Sequence, residues 1–418
     1  MKIHKNIADA ILRSLHEIFN ENKYADKVIE RVLKGNPKWG ARDRRFIAET
    51  TYEIVRWYRL LQEITPPKER ELENIFGTYL EWKNLSPSDS IEEKIESVQF
   101  IRKIRESIPD WMDELGVAEL GEEKWEKELT FLNQEAKVVL RTNTLKTTRE
   151  ELQKKLQAAE IDTYVLTQSV TSSSPALRTY RDVLDTTRSA STRTDKSNNF
   201  PDALVLSKRK NVFTSPAFKE GLFEVQDASS QLVAPFLQLK NGMRVIDACA
   251  GAGGKALHIS ALMQNKGKVI ALDTVQWKLD ELKKRARRAG SSNVETHIID
   301  SPEAIKRMEN TADRLLLDVP CSGLGVLRRN PDAKWKLGLE FIERVKITQQ
   351  KILSDYSVML KKSGIMVYST CSILSSENEK QVERFIQEQN GKFELVEQKM
   401  IFPSEGFDGF FMAAIRKK

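Results

Sequence analysis

The sequence has few of the residues that stabilise small secreted proteins or bind structural metals. Its 418 residues include three cysteines, Cys249, Cys321 and Cys371, and four histidines. Three cysteines cannot form a disulfide framework, and neither a CxxC pair nor a histidine cluster accompanies them, so no metal site is predicted. A reducing compartment is the simplest setting for such a chain.

Long apolar runs are also missing. No stretch approaches the roughly 18 to 20 apolar residues that a membrane-spanning helix needs. Charges interrupt the N-terminal segment "MKIHKNIADAILRSLHEIF" throughout, which is unlike a secretory signal. We therefore expect a cytoplasmic protein without a membrane partner, and the lack of a long heptad pattern favours a monomer.

The charge balance is basic. A formal net charge of +7 favours a polyanionic partner, such as a nucleic acid, although charge alone does not decide the matter. The length allows two or three domains, each with its own core.

Helical periodicity dominates residues 1–132, which we predict to be an all-helical, RNA-binding domain. Within it, "GNPKWGARDRRF" breaks one helix at Pro37 and opens the next with Arg42, Arg44 and Arg45. These arginines are candidate contacts to an RNA backbone, because ordered cations can position phosphates. The alternative is a solvated helix face.

A mixed pattern follows in residues 133–220, which we predict to be a small α+β module. "KVVLRTNTL" is typical of a strand, and "TREELQKKLQAAEI" of an amphipathic helix capped by Thr148. A Ser/Thr-rich stretch, about 167–200, has little hydrophobic periodicity and is expected to be an exposed insertion.

Residues 221–418 alternate short apolar runs with helical segments, which predicts an open parallel sheet built from crossover units. The predicted strands are Arg244–Ala248, Lys268–Asp273, Thr296–Ile299, Arg314–Asp318 and Gly364–Ser369. Ligands of such sheets bind at the carboxyl ends of the strands. All three cysteines fall at or just beyond those ends.

The stretch "MRVIDACAGAGGKALHIS" combines a strand, a glycine-rich loop and a helix, and it predicts a cofactor site. Asp273 lies about twenty residues further on, where an acidic residue can accept both ribose hydroxyls, and Asp300 could accept from an adenine amino group. The loop fits neither the dinucleotide nor the phosphate-loop pattern, so S-adenosylmethionine is the expected cofactor. The alternative is that these aspartates cap helices. The candidate loop residues are Cys249, Ala250, Gly251, Ala252, Gly253, Gly254 and Lys255.

Two further strand ends carry thiols. "LLLDVPCSGLGVLRRNPDAKW" places Asp318 and Cys321 in the same crevice as the glycine loop, and "YSTCSILSSENE" places Cys371 there. We expect the strands before these motifs to be neighbours. A buried cysteine alone is usually inert packing, but two at adjacent strand ends beside a cofactor loop predict a catalytic pair.

These motifs, with "FEVQDASSQL" and "DGFFMAAI", resemble those of the RNA cytosine-5 methyltransferase family from about Val138 to the C-terminus. The N-terminal region with "ARDRRFIAE" resembles the antitermination-factor-like domain of the bacterial branch that methylates small-subunit ribosomal RNA. The resemblance implies a Rossmann-like, S-adenosylmethionine-dependent methyltransferase sheet, with the helical domain and the α+β module attached.

The resemblance also implies roles for individual residues. Cys371 would be the nucleophile that adds to C6 of a cytosine, and Cys321 would assist product release. Asp318 would hold the cytosine and is also a candidate cofactor contact. Arg328 and Arg329 are further candidate RNA contacts. The implied reaction is methylation of C5 of a cytosine in RNA, with 16S ribosomal RNA as the expected substrate.

The sequence departs from the family pattern in the cofactor loop, where Gly251 and Ala252 replace an Ala-Pro pair and Ala256 replaces a threonine. The missing proline leaves the loop freer before the cofactor binds. Three alternative functions remain open: a tRNA cytosine-5 methyltransferase, a DNA cytosine-5 methyltransferase with Cys321 as nucleophile, and an inactive RNA-binding factor for ribosome assembly.

Overall fold

A computed structural model describes residues 3–83, 89–166 and 200–418. The predicted Ser/Thr-rich insertion therefore lies outside the described residues, apart from Phe200. None of the helices in the described parts is both long and apolar enough to cross a membrane.

The N-terminal part of the chain is helical, as predicted. In α1, Ile7, Ile11, Leu15 and Ile18 recur at three- or four-residue spacing and lie on the buried face. Its core continues through α7 and ends near Ile104. The helices of this region are α1 (Lys5–Phe19), α2 (Ala25–Lys34), α3 (Ala41–Arg56), α4 (Tyr58–Ile64), α5 (Leu72–Trp82), α6 (Asp89–Val98), α7 (Arg102–Arg105), α8 (Asp110–Leu120) and α9 (Glu122–Leu132).

Helices α8 and α9 lie before the predicted boundary at residue 132, but their apolar side chains pack into a different core from that of the N-terminal bundle. Trp125 and Leu129 of α9 share a core with Leu327 and Leu374 of the C-terminal domain rather than with the N-terminal bundle. The two helices approach closely at Gly116, where a Cβ would lie 2.2 Å from the Trp125 ring. By packing, the N-terminal bundle ends before α8.

A second contact joins the N-terminal bundle to segment 328–336 of the C-terminal domain. The buried Lys334 ammonium donates to Asn133 Oδ1 at 2.6 Å and to the carbonyls of Arg56, Glu106 and Ser107. Trp335 Nε1 donates to the Val55 carbonyl at 2.7 Å. These donors satisfy carbonyls at the ends of helices, where intrahelical donors run out.

The small module is a four-stranded antiparallel sheet in the order β2-β3-β1-β4. As predicted, Thr148 caps α10 (Arg149–Ala158), accepting from the Glu151 amide. The fourth strand lies beyond residue 220, so the sheet continues past the predicted boundary. The other elements are β1 (Val139–Thr142), β2 (Thr163–Val165), β3 (Ala203–Leu206), α11 (Pro216–Lys219) and β4 (Phe223–Val225).

The C-terminal domain is a seven-stranded sheet in the order β10-β11-β9-β8-β5-β6-β7, with apolar cores on both faces. Its strands are β5 (Arg244–Asp247), β6 (Lys268–Asp273), β7 (Val294–Ile298), β8 (Ala312–Asp318), β9 (Leu360–Thr370), β10 (Phe393–Ile401) and β11 (Phe410–Lys417). Its helices are α12 (Ala228–Gln231), α13 (Val233–Phe236), α14 (Gly254–Leu262), α15 (Gln276–Ala289), α16 (Pro302–Lys306), α17 (Ala333–Lys336), α18 (Leu339–Tyr356) and α19 (Glu379–Glu388).

The five predicted strands are all present and pair in parallel, and β8 and β9 are neighbours as expected. The sequence did not predict the last two strands. Strand β11 inserts antiparallel to β9, and β10 pairs antiparallel with β11 at the edge. The carboxyl ends of β5, β6, β8 and β9 meet at one edge, which carries the candidate site.

Candidate active site at the carboxyl edge of the sheet

The glycine-rich loop between β5 and α14 turns sharply under the edge of the sheet. Gly251 and Gly253 adopt positive φ angles of 53° and 88°, and a Cβ on Gly253 would lie 2.4 Å from the Leu282 side chain. The Gly251 amide donates to Asp273 Oδ2 at 2.9 Å. This hydrogen bond joins the loop to the end of the next strand.

Two arginines that the sequence analysis missed hold this loop from behind. Arg285 donates to the Ala252 carbonyl at 2.7 Å, and Arg141 donates to the Gly254 carbonyl at 2.6 Å. Arg285 is in turn paired with Glu224 of β4. Because Arg141 and Glu224 belong to the small sheet, that module helps to fix the loop. Nothing in the local sequence around either arginine indicates these long-range contacts.

Carboxylates from neighbouring strand ends converge beside the loop. Asp247 ends β5 and is only 1% exposed, yet neither oxygen has a hydrogen bond of good geometry among the described residues, although the Cys249 amide is close enough to lower its pKa. Burial, followed by repulsion from Asp318, raises the pKa of Asp247 to about 7. Asp300 is exposed and lies two residues beyond the end of β7. Asp247 was not predicted as a site residue, although its place at a strand end was a signal.

This donor set fits S-adenosylmethionine, which carries a sulfonium and an ammonium group. A buried carboxylate without a partner is costly, and a cationic ligand would relieve that cost for Asp247. Asp273 is only partly engaged: its Oδ1 accepts from the Val275 amide at 2.9 Å, and Lys278 lies 3.9 Å away. The predicted helix-capping role is thus also present at Asp273, without excluding ligand binding.

Asp318 is held in a fixed orientation at the end of β8. Lys255 Nζ donates to its Oδ2 at 2.6 Å, and Ser369 Oγ donates to its Oδ1 at 3.0 Å. Lys255 was predicted as a cofactor-loop residue, and in the structure it connects that loop to Asp318. Each carboxylate oxygen can accept a second hydrogen bond, so Asp318 can still bind a ligand.

The two predicted thiols face each other beside Asp318. Cys321 Sγ and Cys371 Sγ are 3.3 Å apart. The contact with Cys371, together with burial, raises the pKa of Cys321 well above its ordinary value. Burial also raises the pKa of Cys249, in the cofactor loop. The structure thus brings Cys321 and Cys371 together and leaves Cys249 as a buried thiol of the loop.

The backbones below the two thiols are in direct contact. The Gly325 amide donates to the Cys371 carbonyl at 2.9 Å, and the Gly409 amide donates to the Gly325 carbonyl at 2.8 Å. A Cβ on Gly325 would lie 2.4 Å from the Gly409 oxygen and 2.7 Å from the Cys371 oxygen. Only glycine allows this approach, which joins the loops after β8 and β9 to the turn before β11.

Three of the five predicted RNA-contacting arginines have other roles in the structure. Arg328 is buried and donates to the Pro403 carbonyl at 2.8 Å, so it cannot reach an RNA phosphate at the protein surface. Arg329 pairs with Asp227 and Asp408. Arg44 donates to the carbonyls of Leu33, Asn36 and Trp39 and so closes the turn before α3.

The other two arginines remain on the surface. Arg45 forms an exposed i,i+4 pair with Glu49, and Arg42 is exposed. Within the described ranges, no group of three or more His, Cys, Asp or Glu side chains is placed to hold a metal ion.

Solved structures share this fold. The chain aligns with a crystal structure titled PH0851 over the full length of both chains, with a TM-score of 0.78 and 23% identity. It also aligns with a methyltransferase homologue from Pyrococcus horikoshii, covering 76% of this chain and 98% of that one, with a TM-score of 0.60 and 23% identity. The predicted Rossmann-like methyltransferase fold is therefore confirmed.

Sequence comparisons extend the match beyond the fold. A probable ribosomal RNA small subunit methyltransferase B from Synechocystis is 30% identical over 90% of this chain and 87% of its own length. One from Bacillus subtilis is 36% identical over 57% of each chain. A family profile described as the RsmF/B-like ferredoxin-like domain matches residues 108–172, and one described as 16S rRNA methyltransferase RsmB/F matches residues 234–416. The chain belongs to the bacterial RsmB/F family of small-subunit ribosomal RNA methyltransferases.

Proposed function

We propose that this protein methylates C5 of a specific cytosine in 16S ribosomal RNA, with S-adenosylmethionine as methyl donor and Cys371 as nucleophile. The observation that carries the proposal is the pair of thiols, 3.3 Å apart, beside an oriented carboxylate at the cofactor edge. Methylation at an exocyclic amine or a ribose hydroxyl would need no such pair.

The chemistry explains why a thiol is needed. C5 of cytosine is a poor nucleophile, so a thiolate first adds to C6 and turns the ring into an enamine-like species that is nucleophilic at C5. The two sulfurs are in hydrogen-bond contact, and this contact together with burial raises the pKa of Cys321. We assign the attack to Cys371, the cysteine of the Thr-Cys motif to which the family resemblance gives this role.

Asp318 is suited to recognising the base. Its two oxygens are oriented by Lys255 and Ser369 and keep free acceptor capacity. A carboxylate accepts from the N4 amino group of cytosine and from a proton at N3, and it has no matching donor in uracil at position 4. Since C6 is attacked from the face of the ring, the target base must leave its stack.

The cofactor would lie along the glycine loop. Asp247, Asp273 and the loop of residues 249–254 are the groups that would hold it, with Asp300 at the rim. S-adenosylmethionine supplies an electrophilic methyl group when bound. The loop's backbone and the arginines behind it supply the fixed floor of this site.

Product release requires the Cys371 adduct to break down. After C5 has been methylated, C5 loses its proton and the C6–Sγ bond breaks, which restores the aromatic ring and returns the thiolate. Cys321 is the second sulfur at this point, 3.3 Å from Cys371 Sγ. We assign Cys321 to this elimination step. Once Cys371 Sγ is bonded to C6, its contact no longer raises the pKa of Cys321, so the Cys321 thiol can lose its proton to solvent, and its thiolate takes the C5 proton while the electron pair of the C6–Sγ bond returns to Cys371.

The test is methyl transfer from radiolabelled S-adenosylmethionine to 16S ribosomal RNA that lacks the modification, followed by bisulfite mapping. We expect one cytosine to gain a C5 methyl group. Cys371→Ala should abolish transfer, and Cys321→Ala should accumulate an RNA–protein adduct that survives denaturing electrophoresis. Thr348→Ala, an exposed change on α18, is the matched control and should behave as the unchanged protein.

Each alternative has its own outcome. Trapping by Cys371→Ala, with no trapping by Cys321→Ala, would reverse the two roles and favour the DNA-type mechanism. Methylation of tRNA instead of 16S ribosomal RNA would overturn the substrate. If calorimetry at millimolar S-adenosylmethionine detects no binding, the result favours an inactive RNA-binding assembly factor.

A further inference from the structure

Glu377 is a buried carboxylate that the mechanism above does not use. It ends a short 3-10 turn (Ser375–Glu377) in the polar stretch "SSENE" and is 0% exposed. The local sequence is typical of a solvated turn. A carboxylate in this environment is stable only if the protein supplies donors to it.

Those donors come from the loops that carry the two thiols. Glu377 Oε1 accepts from the hydroxyls of Ser322 and Ser372, the latter at 2.6 Å. Glu377 Oε2 accepts from the Ser322 amide at 2.8 Å and from Gln349 Nε2 at 2.9 Å. Ser322 directly follows Cys321, and Ser372 directly follows Cys371. One carboxylate therefore bridges the residues next to both sulfurs.

The residues before the thiols are fixed by the same cluster. Gln349 Nε2 also donates to the Pro320 carbonyl at 3.0 Å, so the backbone is held on both sides of Cys321. On the other loop, Thr370 Oγ1 donates to Asn378 Oδ1 at 2.5 Å, and Asn378 Nδ2 donates to the Ser372 carbonyl at 3.0 Å. The backbone around Cys371 is therefore held on both sides as well.

The cluster also acts on the thiols through its charge. The negative charge of Glu377 contributes to the raised pKa of Cys321, which favours the protonated thiol next to Cys371. Charge-assisted hydrogen bonds are shorter and about twice as strong as neutral ones. A carboxylate with four donors thus holds the two loops more rigidly than neutral groups could.

We propose that Glu377 is a positioning residue: by accepting from Ser322 and Ser372 together, its carboxylate fixes the separation of the Cys321 and Cys371 sulfurs. The catalytic part of this proposal rests on the function proposed above. The geometric part stands on its own, because the two sulfurs can be compared without RNA or cofactor.

The first experiment is a kinetic comparison of Glu377→Gln with the unchanged protein. The glutamine has the same shape, but its amide nitrogen brings two donors toward groups that are themselves donors. We expect kcat to fall by about 10- to 100-fold, the cost of a small misplacement of a reacting group, with KM for RNA and for S-adenosylmethionine within about 2-fold. Glu377→Asp, which keeps the charge but is shorter, should restore part of kcat. Glu383→Gln, exposed on α19, is the matched control.

The second experiment measures how fast the two sulfurs form a disulfide. Oxidised glutathione converts the two thiols to a Cys321–Cys371 disulfide and is reduced to two glutathione molecules. The rate of the intramolecular step depends on how the sulfurs are placed. We expect this step to be at least 10-fold slower in Glu377→Gln than in the unchanged protein or in Glu383→Gln.

The outcomes separate the two proposals. If the unchanged protein methylates no RNA but Glu377→Gln slows disulfide closure, the proposed function fails and the positioning role stands. If Glu377→Gln keeps the kcat and the closure rate of the unchanged protein, the positioning role is overturned. If Glu377→Gln does not fold, Ser372→Ala decides, since it removes one donor: slower closure supports the role, and an unchanged rate overturns it.

Discussion

Asp247 and Glu377 are both buried carboxylates near the carboxyl edge of the same sheet, yet the protein treats them in opposite ways. Within the described residues, Asp247 lies near the Cys249 amide but makes no hydrogen bond of good geometry at either oxygen, whereas Glu377 has donors at both. The protein thus supplies hydrogen-bond donors to Glu377 and leaves Asp247 without well-placed ones. A buried carboxylate without well-placed hydrogen-bond donors indicates a place for a cationic ligand. A buried carboxylate with all its donors holds the surrounding backbone in a fixed position.

The largest expected effect comes from removing the completed carboxylate. Glu377→Ala removes the charged acceptor that the Ser322 amide, the two serine hydroxyls and Gln349 share. Gln349 keeps only the Pro320 carbonyl and the hydroxyls keep only each other, so we expect the free energy of unfolding to fall by about 3–5 kcal/mol. Urea denaturation measures this change. Glu383→Ala should alter stability by no more than about 0.5 kcal/mol. A loss as small as the control's would show that the cluster around Glu377 is dispensable.

Lys334 extends the comparison to a buried amine with partners, whose pKa burial lowers to about 7. Lys334→Met keeps the bulk of the side chain but removes the donors to four oxygens, including Asn133 Oδ1. We expect a loss of about 2–3 kcal/mol and faster proteolysis between the N-terminal bundle and the C-terminal domain. Lys351→Met, exposed on α18, is the control for thermal unfolding and proteolysis. Equal stability of the two variants would contradict the expectation.

Asp247→Asn should act in the opposite direction on the free protein. Replacing an unpartnered buried carboxylate by a neutral amide should raise the free energy of unfolding by about 1–2 kcal/mol. The affinity for S-adenosylmethionine should fall by about 10- to 100-fold, because an ionic hydrogen bond of about 1.5–3 kcal/mol is lost. Calorimetry and thermal unfolding measure the two changes. A variant that loses both stability and affinity would show that Asp247 is a structural residue.

The proton balance of cofactor binding is the smallest effect and the most specific to Asp247. Its pKa is raised to about 7 in the folded protein, so between about pH 4 and pH 7 the folded state binds more protons than the unfolded state. This contribution to stability therefore falls as pH rises through that window. A bound cation favours the carboxylate, so cofactor binding near pH 7 should release about half a proton.

Calorimetry in two buffers of different ionisation enthalpy detects that proton release. It should disappear in Asp247→Asn, while the rest of the binding heat profile keeps its sign. Release that persists in the variant would assign the proton to another group.

The sequence predicted the elements whose patterns are local. Strand β6 was predicted with its observed bounds, because the apolar run of residues 269–272 lies between Lys268 and Asp273 and fits a buried parallel strand. The Thr148 cap was also predicted, since a threonine three residues before a glutamate is a short-range signal. The pairing of Cys321 with Cys371 followed from the neighbouring positions of their strands.

Other features depend on contacts that no local pattern encodes. Arg328 was predicted to contact RNA from its charge, but tertiary packing buries it against Pro403. Glu377 lies in a polar stretch, and its burial depends on Ser322 and Gln349, which are 55 and 28 residues away in the chain. Strand β10 was missed because it is an edge strand with polar and exposed residues, which weakens the apolar signal.

Segment 328–336 connects the N-terminal bundle mechanically to the loop that follows β8. It begins seven residues after Cys321, and an extended chain of that length spans at most about 25 Å. The N-terminal bundle holds the far end of this tether through Lys334 and Trp335. A tilt of the bundle therefore pulls on the loop that carries a thiol. The catalytic domain is therefore not an independent module. If it were fused to a different RNA-binding domain, that domain would have to supply new contacts for segment 328–336.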